Sequence, residues 1–562
     1  MRWTLKPKPP QSKIDALAKD LQVDVLVAQL LLQRGIATYD NAKKFFRPQL
    51  TDLHDPFLMK DMGLAVARIE TAIKNEENIL VFGDYDVDGT TAVALMSSYL
   101  LSHYPNVATY IPDRYKEGYG VSYAGIDFAE DNGFGLIIAL DCGVKAIDKV
   151  VYAKEKNIDF IICDHHRPGD NLPDAIAVLD PKRSDCKYPY DELCGCGVGF
   201  KLIQALATKR NETIDDLIPY LDLVATAIGA DIVPITGENR VLAYYGLQVI
   251  NSNPRPGFKA IINQIKKDVL TITDVVFIIA PRINAAGRME HGQYAVNLLT
   301  QINLDDAQKF AAEIEKFNFD RRELDQEITK EALLQIDENQ EQECFSTVVY
   351  KDSWHKGVIG IVASRLTETY YRPTLVFTKS GDTLVASARS VKGFDVYNAL
   401  QQCSEFIEQF GGHKYAAGLT LLEEQYEGFK NKFEKVVSDT IDPNLLIPEI
   451  SIDAQMNLSD ISPKLMRILK QMAPYGPGNM SPVFMAENLI DTGYAKGVGQ
   501  EEAHLKLKAT QNGSVPIDGI GFNLGEKLSK VKNKQPFNAV FSLDENEWQG
   551  RVSLQLKIRD LI

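Results

Sequence analysis

The feature that most limits the fold of this chain is a unit repeated between residues 78 and 181. A short apolar run rich in strand formers ends in aspartates or histidines, and a helical stretch follows. The runs are "ILVFGDYD" after Asn78, "GLIIALDCG" (Gly135 to Gly143), "DFIICDHH" (Asp159 to His166) and "AIAVLDP" (Ala175 to Pro181). Strands alternating with helices predict βαβ units and a mainly parallel sheet. Right-handed crossovers then bring the strand ends to one edge, which is where open α/β sheets bind ligands.

The first of these turns, "GDYDVDGTT", places Asp84, Asp86 and Asp88 on alternate positions before Gly89. A calcium-binding EF-hand loop opens in the same way. Its twelfth position must be a bidentate glutamate, however, and here it is Leu95. An EF-hand also follows a helix, whereas "NILVFG" reads as a strand. The acids therefore belong to a strand-to-helix turn.

At 562 residues the chain is too long for one core and implies three or four domains. The start "MRWTLKPKPPQSK" lacks an apolar signal core, and no apolar run reaches membrane-spanning length, so a soluble cytoplasmic protein without membrane contact is expected. The seven cysteines show no framework spacing. Cys194 and Cys196, with Cys186 nearby, lack the paired C-x-x-C spacing of a zinc site and read as buried thiols. The net charge of −15 lowers the expectation of nucleic-acid binding. It does not remove it, because charge averages over the chain while local grooves can be basic.

The expected organisation is an N-terminal helical lead (1–58), an α/β lobe (59–304), a polar helical connector (305–343), a second α/β lobe (344–436) and a C-terminal all-β module (444–562). The connector is read from "DDAQKFAAEIEKFNFDRRELDQEITKEALLQID". The second lobe runs from "FSTVVYKDSWHKGVIGIVASRL" to "GGHKYAAGLTL". The last module shows short alternating strands such as "HLKLKAT" and "FNAVFSLDENEW".

Asp84, Asp86, Asp141, His165 and His166 all fall at predicted strand ends, and Asp231 follows the apolar helix "LDLVATAIGA". Carboxylates with imidazoles suit Mn²⁺ well and Mg²⁺ acceptably. Several carboxylates suggest two ions about 3.5–4 Å apart, an arrangement that activates water for phosphoryl displacement. Any one of these acids alone reads as a helix N-cap; together at strand ends they read as a site.

In order and spacing, "DYDVDG", "LDCGV", "CDHH" and "ADIVP" resemble the motifs of the DHH phosphoesterase family. The later motifs "APRINAAGRM", "SWHKGVIGIVASRL", "SARS", "GGHKYAAGLT" and "APYGPGNMSPVF" are similar to those of its bacterial single-strand-specific DNA exonucleases. The resemblance runs from about Leu32 to the C-terminus. It implies a DHH catalytic domain, a DHH-associated domain and an OB-fold. It also implies Asp84, Asp86, Asp141, His165 and Asp231 as metal ligands, with Asp141 bridging two Mn²⁺ or Mg²⁺ ions. His166 is implied as a ligand or a contact to the scissile phosphate, and Asp88 as a support for the turn. Small relatives carry a histidine where this chain has Leu80. Arg114, Ser387 and Arg389 resemble a pocket for a 5′-terminal phosphate, His413 a further phosphate contact, and Arg282 and Arg288 contacts to the DNA backbone or, alternatively, partners in a salt bridge between the lobes. The implied activity is two-metal 5′→3′ degradation of single-stranded DNA to 5′-mononucleotides in repair and recombination, by a monomer whose partners include a single-strand-binding protein and a helicase. The alternatives are hydrolysis of short oligonucleotides, or DNA binding without catalysis. The intact acid and histidine set argues against the second.

Overall fold

The computed structural model describes residues 1–265, 267–548 and 551–562. The chain opens with a strand, β1 (Arg2–Leu5), where the sequence suggests only helices. The first α/β lobe contains β2 (Asn78–Gly83), β3 (Val107–Tyr110), β4 (Phe134–Leu140), β5 (Asp159–Cys163) and β6 (Ala177–Leu179). They form a wholly parallel sheet in the order β3-β2-β4-β5-β6. The four predicted strands are there, and β3 is added at the edge beside β2. Strands buried on both faces read as continuous apolar runs. In β2, accordingly, Ile79 and Val81 pack into one core cluster and Leu80 and Phe82 into another.

This strand order has a switch point. From β2 the chain steps to β3 on one side, then crosses to β4 on the other. The crevice between the carboxyl ends of β2 and β4 is the place such a sheet offers to a ligand. A helix, Leu304–Glu338, leads from this lobe to the second. There β7 (Thr347–Tyr350), β8 (Thr374–Ser380), β9 (Thr383–Arg389), β10 (Gln409–His413) and β11 (Ala416–Leu422) form a mixed sheet in the order β10-β11-β9-β8-β7.

The C-terminal module is built on a seven-stranded sheet, in line with the expected all-β module, with a short helix (Pro463–Gln471) packed on it. It is not separate from the N-terminus. β1 pairs in parallel with β12 (Glu449–Ile452), and the Trp3 indole donates to Asp560 at 2.8 Å. Ile14, Leu17, Val27, Leu30 and Leu31 share one core with Phe484, Phe541 and Leu556. The two ends of the chain thus fold as one unit. A four-residue strand whose partner lies at the other end of the chain carries no local signal.

Candidate metal centre and anion pocket

Asp84 directly follows β2, and Asp86 is the N-cap of the helix Val87–Leu101, accepting from the Gly89 amide at 3.1 Å. Asp141 follows β4 with φ 59°, a left-handed conformation unusual for a side chain larger than glycine. Gly195 permits it, since a Cβ there would lie 2.5 Å from the Asp141 Cβ. The His165 Nε2 lies 3.2 Å from Asp141, 3.6 Å from Asp231 and 3.8 Å from Asp88. Two ligand groupings result: Asp141, His165 and His166, and Asp88, His165 and Asp231.

The electrostatics indicate what this arrangement holds. Burial, followed by the charge of Asp86, pushes Asp84 up to about 8 and Asp88 up to about 7. Burial and Asp88 push Asp231 up to about 8 and Asp141 well above the carboxylate range. Burial, then the charge of His166, lowers His165 to about 3, so its imidazole is neutral. Asp84 Oδ2, Asp141 Oδ1 and His165 Nε2 are buried without a hydrogen-bond partner among the described residues. Acceptors converging without a donor are costly, and a divalent cation resolves the conflict. The donor set of carboxylates plus imidazole therefore fits Mn²⁺ and accepts Mg²⁺.

Two further residues shape the centre. Burial raises the pKa of Asp164, but hydrogen bonds from His166 and from backbone amides outweigh it and hold the carboxyl near 2. Its Oδ1 lies 2.7 Å from His166 Nδ1, and its Oδ2 accepts from the Val144 amide at 2.9 Å. The ionised Asp164 fixes the proton on Nδ1, leaving Nε2 for the site; the Tyr119 hydroxyl lies 3.1 Å from that nitrogen. Sequence reading gave Asp164 and Tyr119 no role, although Asp164 opens the very tripeptide that named the resemblance. Asp88 accepts from the Gly195 and Cys196 amides at 2.6 and 2.7 Å, tying the first turn to the N-terminus of the helix Gly195–Lys209. Cys194 and Cys196 are buried free thiols, as expected.

A cationic pocket lies beside this centre. Arg114 stacks on the ring of Tyr85, which sits between the two acids of the first turn, with 4.5 Å to the centroid. Arg389 donates to Ser387 at 3.0 Å. Arg288 is half-buried and its pKa is lowered to about 9, first by desolvation and then by the charges of Arg114 and Arg389. Among the described residues, no carboxylate pairs with Arg114, Arg288 or Arg389. Half-buried guanidiniums that repel one another define a site for an anion with several oxygens. His413, at the end of β10, has its pKa lowered by burial and then by Lys145 and His166, which places this hairpin tip over the first lobe. Arg282 follows the salt-bridge alternative rather than the DNA contact. Its guanidinium is committed to Glu315 on the inter-lobe helix at 2.6 Å, so it stands outside the pocket as an intramolecular ion pair.

Parallel sheet, switch-point carboxylates and paired histidines define a DHH-type phosphoesterase. The DHH family N-terminal domain matches residues 78–228, the DHHA1 domain 342–439 and the RecJ OB domain 452–560. The single-stranded-DNA-specific exonuclease RecJ of Bacillus subtilis is 36% identical over 564 residues, covering 100% of this chain and 70% of that protein. The crystal structure of RecJ with Mn²⁺ from Thermus thermophilus superimposes with a TM-score of 0.85 at 26% identity, over 100% of this chain and 79% of that one. Its Mg²⁺ counterpart gives 0.79 at 25% identity, over 100% and 78%. The chain belongs to the RecJ family of single-stranded-DNA-specific exonucleases.

Proposed function

We propose that this protein is a divalent-metal-dependent 5′→3′ exonuclease that degrades single-stranded DNA to 5′-mononucleotides. The observation that carries the reading is the juxtaposition of an uncompensated carboxylate–imidazole cluster on one lobe with an uncompensated arginine–serine pocket built from both. A phosphodiester needs the first, and a terminal phosphate fits the second.

Asp84, Asp86, Asp141, His165 and Asp231 would hold the metal, with Asp88 and His166 at its margin. When bound, the ions would supply an activated water and neutralise charge on the phosphoryl oxygens. The protein's own part is positioning. Arg114, Arg288, Arg389 and the Ser387 hydroxyl hold the terminal phosphate, which fixes the bond presented to the acids; such positioning accounts for much of phosphoryl-transfer catalysis. His166 keeps Nδ1–H on Asp164 and turns Nε2 toward the substrate. The OB-type module adds affinity for a long strand through stacking and charge. Action in the cytoplasm as a monomer, with a single-strand-binding protein and a helicase in repair and recombination, follows from the family reading. Among the described residues no helix is long and apolar enough to cross a membrane.

The test is a single strand labelled at one end or the other, sampled early, with Mn²⁺, Mg²⁺ or chelator. Mononucleotide release from the 5′ end that stops in chelator is expected. Release from the 3′ end, or equal digestion of blunt duplex, would refute the assignment of the pocket.

A further inference from the structure

The motif "APYGPGN" (Ala473–Asn479) lies more than two hundred residues from the acids and outside both lobes, yet it touches the loop that carries one of them. Asp231 ends the helix Leu221–Ala230, and its Oδ2 lies 3.6 Å from His165 Nε2. The next residue, Ile232, has φ 60° and is 66% exposed. A β-branched residue in the left-handed region is an outlier that persists only where its surroundings enforce it. Neither burial nor packing of its own side chain enforces it here.

The enforcing contacts come from the following residues. The Pro234 carbonyl accepts from Asn239 at 3.0 Å and from Tyr190 at 3.3 Å. The Ile235 amide donates to the Pro477 carbonyl at 2.7 Å. Ile235 packs against Gly476 so closely that a Cβ on that glycine would lie 2.6 Å from the Ile235 Cγ1. Gly478, at φ 75°, faces Thr236 in the same way, at 2.8 Å.

The segment is itself rigid. Gly476 and Asn479 exchange both backbone hydrogen bonds, at 3.1 and 2.9 Å. The buried Asn479 side chain donates to the Met472 and Pro474 carbonyls at 2.8 and 2.9 Å, and Arg34 from the N-terminal unit donates to its Oδ1 at 3.0 Å. Arg240, 4% exposed, donates to the Met472 and Ala473 carbonyls at 3.0 Å and to that of Phe45 at 2.9 Å. Arg240 begins its approach from the helix Gly237–Ser252, which directly continues the Asp231 loop.

We propose that Ala473–Asn479 is a positioning element for Asp231, which holds the loop 231–236 in its strained form so that the Asp231 carboxylate faces His165. Released from this clamp, Ile232 relaxes to an extended conformation and carries the adjacent carboxylate away from the cluster. The terminal module then sets the geometry of the metal centre as well as binding strand. The inference rests on the reading of Asp231 as a metal ligand.

The test is Mn²⁺ titration of the metal-free full-length protein by calorimetry. Gly476→Ala wedges a methyl against Ile235 without touching a ligand or the arginine pocket. Its Mn²⁺ dissociation constant should rise by about 10–100-fold, the range seen when the supports of metal ligands are removed. Affinity for a 5′-phosphorylated single strand in chelator should stay within about twofold of wild type, since it depends on groups elsewhere. Gly476→Ala with Ile235→Ala, which removes the atoms the methyl meets, should recover Mn²⁺ binding. Unchanged Mn²⁺ affinity in a folded Gly476→Ala protein overturns the proposal, as does parallel loss of DNA affinity or failure of the double variant to recover. Should Gly476→Ala not fold, Arg240→Lys, which retains one donor group in place of a fork, is read by the same titration. If wild type and Asp141→Ala bind Mn²⁺ equally, the metal reading itself falls, and the proposal with it.

Discussion

Removal of divalent ions should leave the carboxylate cluster holding protons that it must surrender when Mn²⁺ binds. Burial, and then the charges of their neighbours, disfavour the ionised forms and push Asp84 and Asp231 up to about 8 and Asp88 up to about 7. In an unfolded chain the same acids titrate near about 3.9. Between those values the native metal-free protein binds more protons than the unfolded chain, so its stability falls as pH rises from about 4 to about 8. The acids interact, and the protons belong to the cluster rather than to single residues. If only one is retained, stability falls by about 1.4 kcal/mol per pH unit, or about 3 kcal/mol between pH 5.5 and 7.5. A bound cation removes the repulsion and displaces the protons. Calorimetry at about pH 6.5 in two buffers of different ionisation enthalpy should therefore find at least one proton released per site filled, and fewer in Asp141→Asn. Thermal unfolding in chelator should worsen with rising pH, and saturating Mn²⁺ should remove most of that dependence. Mn²⁺ binding without proton release, together with metal-free stability that is flat over this range, would refute the account of the cluster.

Asp141→Ala should lower single-strand hydrolysis by about 10³-fold or more, while binding of a 5′-phosphorylated strand in chelator persists; a tenth of the wild-type rate would sink the mechanism. Arg389→Ala should narrow the preference for a 5′-phosphate over a 5′-hydroxyl end, because the lost fork no longer pairs with the anion; competition between the two ends reads this directly, and an unchanged ratio rejects the pocket. Leu30→Ala should destabilise the C-terminal module by about 2–5 kcal/mol, although the two are far apart in sequence, since Leu30 is fully buried in the shared core. Hydrogen exchange should show faster exchange in the strand Phe484–Asp491, and no change there would contradict the joint core. For the same reason, a chain cut near Pro443 should expose Ile14, Leu17 and Val27 and aggregate unless residues 1–46 are removed with the module.

The grammar of the first lobe can be read from local residue pattern alone. Strands such as "ILVFG" and "GLIIAL" are buried on both faces, so their apolar character is continuous, and the acids that end them stand out against it. The long helix Leu304–Glu338 and the alternating strands of the last module were legible for the same reason, since each pattern is local. Strand β3 and the short β1 were not legible: the one is a four-residue edge strand, the other is ordered only by a partner at the far end of the chain. At the site, sequence singled out Asp141 and Asp231, which face His165, but it read Asp88, which faces the same ring, only as a support for the turn. Only in the folded chain does Asp164 orient His166, Arg282 pair with Glu315, and Arg288 join Arg114 and Arg389. Only there does a glycine-rich segment near the C-terminus meet the loop of Asp231. Periodicity reports which face of an element is buried. Which charge finds which partner depends on distances across separate elements, and these exist only once the chain has folded.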